Sequence, residues 1–155
     1  MKLWMVKLKM FENILVFCRG QAEDFAKEPH EFGSAVISIK TREDPSDPYI
    51  KFTDTNNIKE ILFMAFNDAE NEVEGGITYK EAHRIAEFVR HIAEHRDDVE
   101  TLVIHCDAGA SRSAGVAAAV AKYYFKDDED FFKRYTPNAR CYRLVLEELM
   151  QVDNK

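Results

Sequence analysis

Residues 105–113 read H-C-D-A-G-A-S-R-S, and the rest of the chain is best interpreted outward from this stretch. It follows Thr101–His105 (TLVIH), an apolar run typical of a fully buried strand. It leads into Arg112–Phe125, an Ala-rich stretch that is apolar on nearly every side, as a central buried helix is. The sequence therefore predicts that Cys106 ends a buried strand and that Arg112 opens a buried helix.

This order of elements predicts an anion site. A loop rich in Gly and Ala can curl so that successive N–H groups point inward. The helix that follows adds the partial positive charge of its N-terminus, and the planar fork of Arg112 matches two phosphate oxygens. The same donors favour the thiolate form of Cys106, which can attack phosphorus to give a phosphocysteine. Neither Cys18 nor Cys141 has an arginine six positions on.

Short apolar runs alternate with amphipathic stretches along the rest of the chain. This alternation predicts one α/β domain over residues 1–155, with a mainly parallel sheet flanked by helices on both faces. Such sheets bind ligands at the carboxyl ends of their strands. The expected strands are 13–19, 34–40, a minor one at 49–52, 61–66 and 101–105. The expected helices are 21–27, 79–96, 112–125 and 138–152, and residues 127–130 (DDED) are expected to be a solvated turn.

Composition excludes several classes of protein. With 155 residues, 46% hydrophobic and 12% aromatic, the chain is neither disordered nor of low complexity. A net charge of −7 argues against nucleic acid and anionic membranes as partners. Three cysteines are expected to be reduced thiols in the cytoplasm, and no apolar run is long enough to span a membrane. His91 and His95 lack further ligands, so no metal is expected.

Residues 103–115 resemble the signature loop of the cysteine-dependent protein tyrosine phosphatase superfamily, Val/Ile-His-Cys-x5-Arg-Ser/Thr, in the form closest to the dual-specificity-like branch. Pro137-Asn138 is similar to the Pro-Asn that begins the last helix in many dual-specificity phosphatases. The resemblance covers about residues 61–149. It implies that Cys106 is the nucleophile and Arg112 the phosphate clamp. It also implies that Ser113 eases departure of the thiolate and that His105 tunes the loop. The phosphate-binding residues would be Asp107, Ala108, Gly109, Ala110, Ser111 and Arg112.

The leaving group of such a reaction needs a proton. In this superfamily an aspartic acid on a loop upstream of the cysteine supplies it, and the candidate here is Asp68, just beyond the apolar run 61–66. Glu70 and Glu72 on the same loop are alternatives. An acid that must be protonated while the thiol is ionised predicts a bell-shaped pH–rate profile.

The resemblance implies a dual-specificity-like phosphatase that hydrolyses phosphomonoesters without metal or organic cofactor. The acidic Asp107 and the lack of lysine in the loop favour a phosphorylated protein or a small phosphomonoester as substrate. The alternatives are a phosphatase of nucleotides, RNA ends or lipids, and a module that binds phosphate without turnover. The preference for phosphotyrosine or phosphoserine/threonine and the oligomeric state stay open.

Four other residues near predicted strand ends have two interpretations each. Cys18 could form a reversible disulfide with Cys106, or it could be a small buried packing residue. Arg19, Lys40 and Arg42 could contact a substrate, or they could be solvated surface residues.

Overall fold

The computed structural model describes residues 10–52 and 57–153. The strands are β1 (Asn13–Phe17), β2 (Ser34–Lys40), β3 (Ile58–Ala65) and β4 (Thr101–His105). The helices are α1 (Arg19–Lys27), α2 (Tyr79–His95), α3 (Arg112–Phe125), α4 (Glu129–Arg134) and α5 (Ala139–Asp153). The predicted bounds of β2, β4 and α3 are confirmed. The other predicted helices and longer strands are present, with ends shifted by one to three residues.

The four strands form one parallel sheet in the order β1-β4-β2-β3. Because all four strands run in the same direction, their carboxyl ends meet at one edge of the sheet. β4 lies between β1 and β2, so the residues that follow His105 emerge near the middle of that edge. This is the edge at which open α/β sheets bind their ligands.

Successive side chains of the central strands point to opposite faces of the sheet, so these strands contribute to two hydrophobic layers. Ile37 and Ile104 face the larger core, which the sheet shares with α2, α3 and α5. Val36 and Val103 face the other side, where they pack near Phe25 of α1. Helices therefore cover both faces of the sheet, and the predicted α/β architecture is confirmed.

Two local predictions are wrong. Residues 49–52 form no strand and pair with none of the four strands of the sheet. Instead, Ile50 packs beneath α1 against Ala22 and Ala26. Part of the acidic run 127–130 opens α4 rather than forming only a turn. This short helix has acidic residues in its first turn and basic residues in its last, the arrangement that the helix dipole favours.

Gly115 allows the start of α3 to lie against the start of α5. A Cβ atom at this position would lie 2.6 Å from the carbonyl oxygen of Asn138 and 2.9 Å from Cβ of Cys141. These distances are shorter than van der Waals contact, so a side chain of any size would push the two helices apart.

A buried hydrogen bond joins β2 and β4 beneath the carboxyl edge. Oγ of Ser38 and Nε2 of His105 lie 2.6 Å apart, and both residues are buried. Burial lowers the pKa of His105 to about 4, because the surrounding protein disfavours the imidazolium. His105 is therefore a neutral partner of Ser38 at physiological pH.

We expect Gly115→Ala to lower the free energy of unfolding by about 1–3 kcal/mol through overpacking, despite the better helix propensity of alanine. Gly20→Ala is the matched control, since Gly20 also lies in a helix and a Cβ there would meet nothing within 4 Å. The control is expected to be neutral or stabilising by up to about 1 kcal/mol. Urea unfolding of both variants checks the difference, and equal stabilities would contradict it.

We expect His105 to make folding stability depend on pH. The folded state binds this proton more weakly than the unfolded chain, so the contribution is complete above pH 6.5 and is lost as the pH falls towards about 4. The loss is on the order of 3 kcal/mol. His105→Gln keeps a hydrogen-bonding group near Ser38 and cannot titrate, so its unfolding free energy should fall less steeply over this range. Urea unfolding across pH 4–7 tests this, and parallel curves for the two proteins would refute it.

Candidate active site

Cys106 is the first residue after β4, and its thiol is buried inside the 106–112 loop. The N–H of Gly109 donates to Sγ at 3.2 Å. Oγ of Ser113, in the first turn of α3, lies 3.1 Å from the same sulfur. Two polar groups thus contact Sγ directly, and they can stabilise negative charge on it.

Several carbonyl groups of this loop accept hydrogen bonds from residues outside it. The backbone N–H of Arg19 donates to the oxygen of Asp107 at 2.9 Å, and that of Thr136 donates to Ala110 at 3.0 Å. The oxygen of Ser111 accepts from two N–H groups at 2.8 Å each. Across the described residues, six loop amides have no acceptor: those of Cys106, Asp107, Ala108, Ala110, Ser111 and Arg112. The loop is therefore anchored through its carbonyls and keeps unused donors, as an anion-binding loop requires.

Gly109 is required at its position in the loop. Its φ of +68° lies in the left-handed region, and a Cβ would lie 2.4 Å from the backbone nitrogen of Cys18. The contact is with backbone at the start of α1, which cannot move aside as a flexible side chain can. The loop therefore packs directly on the end of β1.

The Arg112 side chain is buried, and one of its nitrogens already donates hydrogen bonds within the protein. Nη1 donates to the carbonyl oxygen of Phe66 at 2.9 Å and to Oγ1 of Thr41 at 3.1 Å. Nε is also buried and has no acceptor among the residues that the structure describes. With Nη1 occupied, the fork formed by Nε and Nη2 is the edge left for a bidentate anion. A buried donor without an acceptor is unfavourable, and an oxyanion would relieve that cost.

The structure brings Asp68 into contact with the loop, whereas neither alternative acid is hydrogen-bonded to it within the described residues. Oδ1 of Asp68 accepts from Oγ of Ser111 at 2.8 Å and from Nδ2 of Asn138 at 2.7 Å. Glu70 and Glu72 are exposed, and within residues 10–52 and 57–153 neither forms a hydrogen bond. Oδ2 of Asp68 is the oxygen left to carry a proton.

Asn138 and Thr41 are site residues whose contacts the sequence did not predict. Asn138 was expected only to begin the last helix, yet its buried amide binds Asp68 and donates to the carbonyl of Ala69 at 3.1 Å. The resemblance of Pro137-Asn138 to a family motif was the one signal for it. Thr41 follows β2 at the ligand edge, and nothing in its sequence context indicates a contact with Arg112.

The basic residues at the strand ends have different surroundings. Arg19 forms an ion pair with the buried Asp47, so its guanidinium is not a free surface group. Nζ of Lys40 donates to the carbonyl of Thr41 at 2.8 Å. Arg42 is exposed, and its backbone N–H donates to Oδ1 of Asn67 at 3.0 Å. Of these three residues, Arg42 is the exposed one, and its guanidinium forms no hydrogen bond or ion pair within the described part of the chain.

The other two cysteines differ from Cys106 in their surroundings. Cys18 is a half-buried free thiol at the N-cap of α1, and its disulfide with Cys106 stays a hypothesis. Cys141 is buried, and burial raises the pKa of its thiol far above the ordinary range. It is a packing residue.

The described residues contain neither a metal-binding cluster nor a membrane-spanning helix. No group of three or more His, Cys, Asp or Glu side chains in this part of the chain is arranged to hold a metal ion. None of the described helices has the length and apolar character needed to cross a bilayer.

Comparison of this chain with known proteins gives matches in structure and none in sequence. No protein-family model matches the chain, and no curated protein matches it. The human tyrosine phosphatase-like serine/threonine/tyrosine-interacting protein aligns with a TM-score of 0.57 and 18% identity, over 95% of this chain and 99% of that one. The PTP-2 phosphatase of Cydia pomonella aligns with a TM-score of 0.57 and 17% identity, over 90% and 88% of the two chains. PTPMT1 in complex with PI(5)P gives a TM-score of 0.55 and 14% identity, over 92% and 93%. Identities this low establish the fold alone, and the chain has the fold of the cysteine-dependent protein tyrosine phosphatase superfamily.

Proposed function

We propose that this protein is a cysteine-dependent phosphatase that hydrolyses phosphomonoesters through a phosphocysteine intermediate. The observation that carries the proposal is that one loop contacts every group the reaction needs. The thiol of Cys106 lies within the loop, Arg112 ends it, and Ser111 holds the carboxylate of Asp68 beside it. The fold of the structural neighbours supports the same assignment.

In the first step the Cys106 thiolate attacks phosphorus, a sulfur–phosphorus bond forms and the bond to the ester oxygen breaks. The loop amides and the free edge of Arg112 bind the three non-bridging oxygens, where negative charge is concentrated. The departing oxygen takes the proton that Asp68 carries on Oδ2. The products of this step are an alcohol or phenol, a phosphocysteine and the Asp68 carboxylate.

In the second step a water molecule attacks the phosphocysteine. Asp68, now a carboxylate, takes the proton of that water, so that it is ready to act again as an acid. The sulfur–phosphorus bond breaks and releases inorganic phosphate. Ser113, 3.1 Å from Sγ, can donate its hydroxyl proton in a hydrogen bond to the thiolate as it departs.

For the substrate we propose a phosphorylated protein or a small phosphomonoester, with action on both aromatic and aliphatic phosphates. Asp107 is exposed beside the nucleophile, and the loop carries no lysine. A substrate with further phosphates near the reacting one would meet repulsion from Asp107. One structural neighbour is bound to PI(5)P, so a phosphoinositide is the alternative to be tested beside these substrates.

Cys106→Ser is expected to abolish hydrolysis of p-nitrophenyl phosphate, because a serine hydroxyl at this site is not ionised at neutral pH. The assay is run in EDTA to exclude a metal-dependent contaminant. Cys18→Ser is the matched control and should keep the wild-type rate, since its side chain forms none of the contacts of the site. Equal activity of wild type and Cys106→Ser would disprove the proposal. Anion binding without turnover in the wild type would favour the phosphate-binding module.

Asp68→Asn is expected to lower kcat by about 10²–10⁴-fold on alkyl phosphates, whose leaving groups need a proton. The loss should be smaller on p-nitrophenyl phosphate, and the alkaline limb of the pH–rate profile should flatten. Glu70→Gln and Glu72→Gln are the matched controls and should resemble wild type. A large loss in either control, with Asp68→Asn unaffected, would transfer the acid role to that glutamate.

A further inference from the structure

A buried carboxylate lies behind the 106–112 loop and takes no part in the chemistry proposed above. Asp47 is 4% exposed and belongs to the loop that follows β2. Its Oδ2 accepts the backbone N–H of Thr41 at 2.7 Å, and its Oδ1 accepts Nη1 of Arg19 at 2.7 Å. A buried carboxylate is unfavourable unless it is well paired, and here each oxygen has a partner.

One branch of this network leads to the phosphate clamp. The backbone of Thr41 is fixed on both sides, by Asp47 at its N–H and by Lys40 Nζ at its carbonyl, 2.8 Å away. Fixing the backbone fixes the direction of the Cα–Cβ bond of Thr41, whose hydroxyl accepts Nη1 of Arg112 at 3.1 Å. That contact and the carbonyl of Phe66 set the rotation of the guanidinium about its long side chain.

The other branch leads to the opposite end of the same loop. Nη1 of Arg19 bridges Asp47 and the carbonyl of Pro48, at 2.7 Å each. The backbone N–H of Arg19 donates to the carbonyl of Asp107 at 2.9 Å, one residue beyond the thiol. Asp47 is therefore linked to both ends of the loop that would surround an oxyanion. Arg19 is the intermediate towards Asp107, and Thr41 is the intermediate towards Arg112.

The guanidinium depends on this support because of its own geometry. An arginine side chain has several rotatable bonds, and a bidentate contact needs its planar fork at one orientation. With Nη1 held by two acceptors, the Nε edge is left free inside the site, where Nε has no acceptor among the described residues. If the Thr41 hydroxyl were removed, Phe66 alone would hold Nη1, and the fork could rotate away from its binding position.

We propose that Asp47 and Thr41 are positioning residues that fix the Arg112 guanidinium for binding a tetrahedral oxyanion. This inference rests on the proposed function, in which Arg112 binds the phosphoryl group. Neither residue touches the substrate; both act through Arg112.

The first test compares Thr41→Val, which has nearly the same shape and no hydroxyl, with Thr41→Ser, which keeps the hydroxyl. Tungstate, a tetrahedral oxyanion, is the probe, and its affinity is measured by isothermal titration calorimetry. We expect Thr41→Val to weaken tungstate binding by about 10–100-fold and Thr41→Ser to bind nearly as wild type does. Both variants should melt at nearly the wild-type temperature. A purely structural role for Thr41 would instead lower the melting temperature and would not separate the tungstate affinities of the two variants.

The second test compares Asp47→Asn with Asp44→Asn, an equal change of charge in the same loop. The Asp44 side chain bonds only to Ser46 among the described residues and has no contact with Thr41 or Arg19. We expect Asp47→Asn to weaken tungstate binding by about tenfold or more and to lower kcat/KM by a similar factor. Asp44→Asn should resemble wild type. If Asp47→Asn fails to fold, the Thr41 pair decides the question alone.

Anion binding and turnover are measured separately so that the two proposals can fail separately. If wild type binds tungstate, Thr41→Val does not, and no phosphate ester is hydrolysed, the positioning role stands and the proposed function fails. If Thr41→Val and a folded Asp47→Asn bind tungstate as wild type does, the positioning role is overturned whatever the activity. It is also overturned if wild type binds no tungstate.

Discussion

The side chain of Asn138 is the buried contact on which the geometry of the site depends most. Its backbone N–H donates to Ser111, and Nδ2 donates to Asp68 and Ala69. Its Oδ1 accepts the N–H of Cys141 and so caps the start of α5. Three segments distant in sequence thus meet at one residue, through its backbone N–H and its side-chain amide, and each hydrogen bond restricts the others. Without this residue, Asp68 would keep only its contact with Ser111 at the surface.

How much of this site the sequence could predict depends on how far apart in the chain the two residues of each contact lie. Cys106, Arg112 and Ser113 lie within eight residues of one another in a strand–loop–helix pattern, so their proximity follows from local geometry. Asp68 could be proposed only from its place after the strand and from the family's use of an aspartic acid, with two glutamates on the same loop as alternatives. The structure adds a contact with Asn138 that neither glutamate makes among the described residues, and that contact joins residues that are 70 positions apart.

Other features were not predictable, because they depend on packing rather than on periodicity. Residues 49–52 have the composition of a strand, yet they pair with no strand of the sheet, and Ile50 packs beneath α1 instead. Asp47 lies in a segment of charges and prolines that is typical of an exposed loop. It is nevertheless buried, because Arg19 reaches it across the ligand edge of the sheet. No pattern in the sequence links these two positions.

The contact between Gly109 and the backbone at Cys18 has a thermodynamic consequence. The loop is held against β1, and its carbonyls bond to neighbouring segments of the chain. The conformational entropy of ordering the loop is therefore lost once, when the chain folds, and not again at each encounter with an anion. For a chain with a net charge of −7, long-range attraction of anions is weak, so affinity has to come from short-range donors that are already in place.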